Sequence, residues 1–251
     1  MKNTVALEYY TIRGKFKLPE DFALVSKKVK EMGYDGYECG AWQAAPIIVK
    51  ELGVKTGLKC VCVSADYNTL LTGAEKLAGE CLEAGVNHVM CPWFGEKGKP
   101  RDFALTGKEL SKAGKILAEK GITLMYHNHN FEFTKIKGKL GLDILYEESD
   151  SRYLKAELDT YWLAAGGLNP VKYIQKMKGR IGMAHLKDMR GGECIPLYAE
   201  IGEGNLAWNE IIPAFKEAGV TTFIVEQDET YERDSLESAR ISRENLKKYG
   251  L

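Results

Sequence analysis

The stretch KELSKAGKILAEKGITLMYHNH, residues 108–129, contains the unit from which the fold can be built. Its first part has the apolar spacing of an amphipathic helix, and Gly121 is typical of the residue that follows the end of a helix. The run ITLMYHNH (122–129) has the length and composition of a buried strand. The stretch therefore predicts a helix, a short turn and a strand that ends in two histidines.

The same unit recurs along the chain at intervals of about 30 residues. The strand-like runs are residues 4–9, 34–39, 58–64, 87–93, 122–129, 153–159, 181–187 and 222–227. Strands that alternate with helices pair in parallel through right-handed crossovers. Eight such units predict an α/β fold, a single (β/α)8 TIM barrel domain with parallel strands over residues 1–251. An open, doubly wound sheet is the alternative.

Composition and charge argue against several classes of protein. Lysine plus arginine equals aspartate plus glutamate at 35 each, so no overall field favours nucleic acid or an anionic membrane. No segment approaches the roughly 18 apolar residues of a spanning helix. The six cysteines form no CxxC motif, as expected for reduced thiols inside a cell. These features predict a cytoplasmic globular protein with no nucleic-acid or membrane partner, and they leave a homo-oligomer open.

In a (β/α)8 barrel the loops after the strands form the face that carries the active site. The polar or aromatic residues at the predicted strand ends are Glu8, Tyr10, Glu38, Ser64, Trp93, His127, His129, Glu132, Asp159, His185, Lys187 and Glu226. Four of them, from the fifth to the eighth strand, form a set of three carboxylates and one imidazole: Glu132, Asp159, His185 and Glu226. Such a set suits Mn²⁺, Mg²⁺, Co²⁺ or Zn²⁺, and without a cation its negative charges would repel one another. The sequence therefore predicts one divalent metal ion held by these four residues.

His127 and His129 lie two apart on an extended strand, so their side chains point to the same side. Either histidine could replace Glu132 as a ligand, because Glu132 follows the strand and the strand period does not fix its direction. A histidine at this rim could also carry protons or bind the substrate. His88 precedes the apolar part of its strand and is predicted to be structural.

Aromatic residues at the same rim suit a small ligand with many hydroxyl groups. Tyr10, Trp93 and Trp162 offer flat apolar surfaces with polar edges, or else they pack loops over the core. Glu8 and Lys187 are also predicted to bind the substrate. A solvated position at the surface is the alternative for Lys187.

Several motifs resemble the sugar phosphate isomerase/epimerase group of the xylose-isomerase-like TIM barrel superfamily. They are YHNHNFEF (126–133), ELDTYWLAAGG (157–167), NPVKYI (169–174), HLKDM (185–189), EIGEGNLAW (200–208), VEQD (225–228) and LESARIS (236–242). The resemblance implies a divalent metal at the C-terminal rim, held by Glu132, Asp159, His185 and Glu226. The epimerase branch places its first ligand within the fifth strand, where this chain has Tyr126 or His127.

The resemblance also implies an activity, the isomerisation or epimerisation of a sugar or keto-sugar through a metal-stabilised enediolate. Glu132 and Glu226 would move the proton, with His127 or His129 as a relay or alternative base. The alternatives on the same site are a lyase or dehydratase and a keto-glycoside-cleaving enzyme. A sugar-binding subunit without turnover is less favoured. Four histidines and a net charge of zero argue against an abasic-site endonuclease.

Overall fold

The structure is a computed structural model, and it describes residues 2–15, 19–40, 46–96, 98 and 100–251. The strands are β1 (Thr4–Glu8), β2 (Gly36–Gly40), β3 (Lys59–Ser64), β4 (His88–Cys91), β5 (Thr123–His127), β6 (Lys135–Ile136), β7 (Lys139–Leu140), β8 (Leu154–Asp159), β9 (Ile181–Leu186), β10 (Asp188–Arg190), β11 (Leu197–Ala199) and β12 (Thr222–Val225). The α-helices are α1 (Pro19–Glu31), α2 (Pro46–Thr56), α3 (Tyr67–Ala84), α4 (Phe103–Ala118), α5 (Gly141–Glu147), α6 (Thr160–Ala165), α7 (Pro170–Lys176), α8 (Trp208–Glu217) and α9 (Ser235–Lys247).

Eight strands close into a parallel barrel in the order β1-β12-β9-β8-β5-β4-β3-β2, and β2 pairs with β1. Each predicted strand-like run overlaps one of these strands, so the predicted (β/α)8 barrel is confirmed. The fifth to eighth barrel strands are β5, β8, β9 and β12. Two short antiparallel hairpins, β6–β7 and β10–β11, lie outside the barrel and were not predicted.

The glycine predicted to follow a helix end has the left-handed backbone conformation that is typical of that position. After α4 the chain reaches Gly121 at φ +74°, where its N–H donates to the carbonyl of Ala118. This left-handed conformation costs glycine little because glycine has no Cβ. At the start of α9, the Asp234 carboxylate caps the helix by accepting from the N–H of Leu236 at 3.0 Å.

The barrel interior begins with an apolar layer that is separate from the core between strands and helices. Its buried members come from six barrel strands, and they are Ala6, Cys62, Met90, Met125, Met183 and Ile224. Side chains alternate between the two faces of a strand, so the residue two positions further on points to the same side. The next layer toward the C-terminal end of the strands is therefore set by the sequence, and it contains Glu8, Ser64, Pro92, His127, His185 and Glu226.

Asp188 holds the long loop between β11 and α8 in place. Its carboxylate, buried at 0% exposure, accepts from the backbone N–H groups of Gly202 at 2.8 Å and Gly204 at 3.1 Å, and from the indole Nε1 of Trp208 at 2.7 Å. A Cβ on Gly204 would meet the Asp188 carboxylate at 2.4 Å. Any residue larger than glycine at position 204 would therefore clash with the Asp188 carboxylate.

We expect Asp188→Asn to lower the free energy of unfolding by about 3 kcal/mol, because the new amide N–H₂ would face donors where a buried charge accepts hydrogen bonds. Urea unfolding measures this loss. The control is Asp150→Asn, whose carboxylate pairs with Arg152 at the surface and should lower the free energy of unfolding far less, because exposed ion pairs contribute little. A loss for Asp188→Asn no larger than that of the control would contradict the assigned role.

None of the helices in the described part of the chain is both long and apolar enough to cross a bilayer. All six cysteines are free thiols, and five of them are at least partly buried. The extent of the domain over residues 1–251 stays a prediction.

Candidate metal centre

Four side chains from successive barrel strands converge at the C-terminal mouth. His127 ends β5, Asp159 ends β8, His185 lies on β9 and Glu226 follows β12. One ligand atom from each lies within 4.8 Å of the other three, and all four residues are buried. The strand register explains the convergence, since Asp159 pairs with His185 across β8 and β9. We call these four residues the quartet.

Three of the four predicted ligands belong to the quartet, whereas Glu132, the fourth, lies outside it. Glu132 lies in the 3-10 helix Phe131–Phe133, where the strand period no longer applies. Its carboxylate accepts from the hydroxyl of Tyr126 at 2.5 Å and from the N–H of His129 at 3.0 Å. Burial raises the pKa of Glu132 to about 7. The fourth place in the quartet is taken by His127, the alternative that the sequence left open.

A cavity of about 300 Å³ lies over the quartet. It is lined by Glu8, Tyr10, Gly40, Ser64, Met90, Pro92, His127, His129, His185, Glu226 and Asp228. His127 and His129 both face this space, as their spacing predicted, with ring centroids 4.9 Å apart. Tyr10 is half exposed at the rim, and the guanidinium of Arg13 stacks 4.1 Å from its ring.

His129 lies among aromatic rings at the edge of the cavity. Its ring centroid is 5.1 Å from that of Trp93 and 5.3 Å from that of Trp162. Burial, and then the positive charge of Lys187, lower the pKa of His129 to about 3. The imidazole is therefore neutral near pH 7. Its Nδ1 and the Nε1 of Trp162 are buried with no hydrogen-bond partner among the described residues.

Lys187 is a buried cation beside the quartet, which excludes the solvated position that was its alternative. Its ammonium lies 2.7 Å from Glu226, 3.2 Å from Asp159 and 3.0 Å from Asp228. Burial alone would lower the pKa of Lys187, but these three carboxylates raise it well above its usual range. The lysine therefore stays charged and partly neutralises the acidic mouth.

Two carboxylates that line the cavity have pKa values shifted in opposite directions. Burial, and then the charges of Glu38 and Glu226, raise the pKa of Glu8 well above its usual range. Burial alone would also raise the pKa of Glu226, but Lys187 and His185 hold it well below the usual range. Glu8 is therefore the carboxyl group that holds a proton more readily and Glu226 the one that ionises more readily, a division typical of paired acids and bases.

The structure brings three further carboxylates to the site, and the sequence interpretation missed two of them, Glu157 and Asp228. Glu157 was overlooked because only strand ends were considered, although it shares a face with Asp159 two residues later. Asp228 follows Glu226 by the same spacing. Glu38 was recognised as a strand end, and it pairs with Glu8 across β1 and β2 and with Cys62 across β2 and β3.

Comparison with known proteins supports the same fold. An inosose dehydratase of Clostridium botulinum (strain Alaska E43 / Type E3) is 33% identical over 89 residues, which are 36% of this chain and 29% of that protein. The chain thus matches less than a third of the length of that relative. A sugar phosphate isomerase/epimerase from Parabacteroides distasonis ATCC 8503 superposes with a TM-score of 0.84 at 20% identity, covering 98% of both chains.

A third similar structure is the IolI protein with a bound zinc atom, which has a TM-score of 0.76 and 14% identity and covers 98% of this chain and 97% of its own. Likenesses at such low identity show the shared barrel alone. The family model of the xylose isomerase-like TIM barrel matches residues 26–249, which is most of the chain. The chain therefore belongs to the xylose isomerase-like TIM barrel family.

Proposed function

We propose that this chain is a divalent-metal-dependent enzyme that isomerises or epimerises a sugar or keto-sugar. The observation that carries the proposal is the quartet of buried donor atoms from His127, Asp159, His185 and Glu226. Two imidazoles and two carboxylates suit Zn²⁺, Mn²⁺ or Co²⁺ better than a site made of oxygen alone would. The zinc atom of the IolI protein supports a metal in the same kind of barrel.

The ion, when bound, would stabilise negative charge that develops on substrate oxygens. The chain's own residues would move the proton. Glu226, whose pKa is lowered, would take the proton from the carbon next to a carbonyl, and Glu8, whose pKa is raised, would supply one to the adjacent carbon or oxygen. Because Glu132 faces Tyr126, we assign the second proton-carrying role to Glu8.

The walls of the cavity support a small, uncharged substrate with many hydroxyl groups. A volume of about 300 Å³ is large enough for a monosaccharide. Its described lining residues include the carboxyl groups of Glu8, Glu226 and Asp228 but no lysine or arginine, so they offer no cationic side chain to a phosphate. Nδ1 of His129, which lines the cavity, has no hydrogen-bond partner among the described residues and is available to a substrate hydroxyl.

A dehydratase is the second candidate, and the match to inosose dehydratases favours it. Elimination would begin with the same proton transfer to Glu226, and Glu8 would then protonate the hydroxyl that leaves as water. Product mass separates the two reactions, because isomerisation and epimerisation leave the mass unchanged and dehydration lowers it by one water. A protein that only binds sugar would catalyse no hydrogen exchange.

The test is a screen of keto-sugars and aldoses in D₂O, with NMR detection of deuterium beside the carbonyl. We expect exchange with Mn²⁺, Co²⁺ or Zn²⁺ present, its loss after chelation and removal of the ion, and its return on adding one of these ions. The matched blank is each ion with substrate and no protein. Exchange that is unchanged after metal removal, or absent for every substrate and ion, would contradict the proposal.

A further inference from the structure

A second layer of buried carboxylates lies directly beneath the quartet. Glu38 on β2 and Glu157 on β8 are both 0% exposed. Strand register places them there, because Glu157 pairs with Met183 and Glu38 pairs with Cys62, and both partners belong to the apolar layer of the barrel interior. We call Glu38 and Glu157 the lower pair. Burying two carboxyl groups is costly unless they interact with other polar groups, so the partners of this pair indicate its use.

The ring of His185 connects the quartet to the lower pair. Its Nδ1 lies 3.0 Å from Oε2 of Glu226, which belongs to the quartet. On the other edge, Nε2 lies 3.1 Å from Oε1 of Glu38 and 3.4 Å from Oε2 of Glu157. A nitrogen that binds a metal carries no proton, so an ion in the quartet would be bound by Nδ1 and the proton would remain on Nε2.

The ring of His127 is turned the other way from that of His185, and it also lies next to the carboxylate of Glu157. Its Nε2 lies 3.9 Å from Oδ2 of Asp159, within the quartet. Its Nδ1 faces downward, 3.8 Å from Oε2 of Glu157, and has no hydrogen-bond partner among the described residues. Oε2 of Glu157 therefore lies within 4 Å of the nitrogen of each imidazole that faces away from the quartet, Nδ1 of His127 and Nε2 of His185.

We propose that Glu157, with Glu38, is a positioning residue that fixes the ring orientation and tautomer of both ligand histidines. The inference rests on the proposed metal site. Histidines that bind metals commonly donate their second N–H to a carboxylate, which holds the ring and increases its basicity. Here a single carboxylate would serve two histidines, which carry their remaining protons on different nitrogens, His185 on Nε2 and His127 on Nδ1.

The first test is ¹⁵N NMR of the histidine rings in the full chain loaded with Zn²⁺. The chain has four histidines, so single substitutions of His88 and His129 can complete the assignment. We expect the Nε2 proton on His185 and the Nδ1 proton on His127. The reverse tautomer for either ring would overturn the inference, and this test requires no change to the lower pair.

The second test measures Zn²⁺ affinity by calorimetry for Glu157→Leu and Glu157→Gln. We expect Glu157→Leu to weaken binding by about 10-fold to 100-fold. Glutamine keeps an acceptor oxygen, so Glu157→Gln should recover part of the loss and retain both tautomers. The matched control is Glu132→Gln, another buried carboxylate that bonds to Tyr126 and not to the ligand histidines.

The results separate this inference from the proposed function. If the unsubstituted chain fails to bind Zn²⁺, the metal site itself is refuted. If it binds Zn²⁺ and Glu157→Leu binds equally tightly, only the positioning role is refuted. A variant that fails to fold leaves the decision to the tautomers of the unsubstituted protein.

Discussion

Glu226→Gln is expected to slow metal-dependent exchange of the substrate hydrogen by about 10³-fold. The carboxylate of Glu226 lies 2.7 Å from the Lys187 ammonium and 3.0 Å from His185, and these contacts hold its pKa well below the usual range. It is thus ionised and able to accept a proton at neutral pH. An amide of the same shape cannot accept that proton, although its oxygen can still contact the ion. Deuterium uptake followed by NMR measures the loss.

The control for this change is Glu229→Gln, in the same loop but exposed and paired with Arg13. It should leave the exchange rate within about twofold, because exposed ion pairs contribute little. Both variants should be assayed at saturating metal, with the dissociation constant measured for each, so that lost chemistry is distinguished from lost ion. Exchange by metal-loaded Glu226→Gln within threefold of the unsubstituted protein would refute Glu226 as the base.

The barrel could be predicted because each unit carries its own local signals. A glycine such as Gly121 ends a helix through backbone conformation alone. An apolar run such as 122–129 can be recognised as a buried strand from its own length and composition. These signals repeat eight times, and the closed barrel satisfies all of them. The hairpins β6–β7 and β10–β11 lack such signals, since they are short and depend on what they pack against.

The candidate site could be predicted only where a side chain lies on a strand. Asp159, His185 and Glu226 come together because the barrel directs the ends of β8, β9 and β12 to one mouth. Glu132 lies apart from them because it follows the strand, and the turn of the 3-10 helix directs it to Tyr126. The partners of Lys187 were also beyond the sequence, since Asp159 and Asp228 meet it only because β9 lies between β8 and β12.

His127→Ala is expected to weaken Zn²⁺ or Mn²⁺ binding by more than about 100-fold, whereas Glu132→Gln should leave it within about threefold. The loss of a ligand should exceed the 10-fold to 100-fold cost typical of removing a group behind a ligand. The structure places His127 in the quartet and directs Glu132 to Tyr126 and the N–H of His129. The two variants therefore compare the ligand in the structure with the ligand expected from the sequence. Calorimetric titration of the metal-free proteins measures both.

His129→Ala is the matched control, because it removes an imidazole from the same stretch that lies outside the quartet. It should bind the ion within about threefold of the unsubstituted protein but bind substrate more weakly, since Nδ1 of His129 is buried beside the cavity with no partner among the described residues. Circular dichroism must show that each variant is folded. Strong binding by His127→Ala together with weak binding by Glu132→Gln would reverse the assignment, and it would require the loop after β5 to turn Glu132 inward when the ion binds.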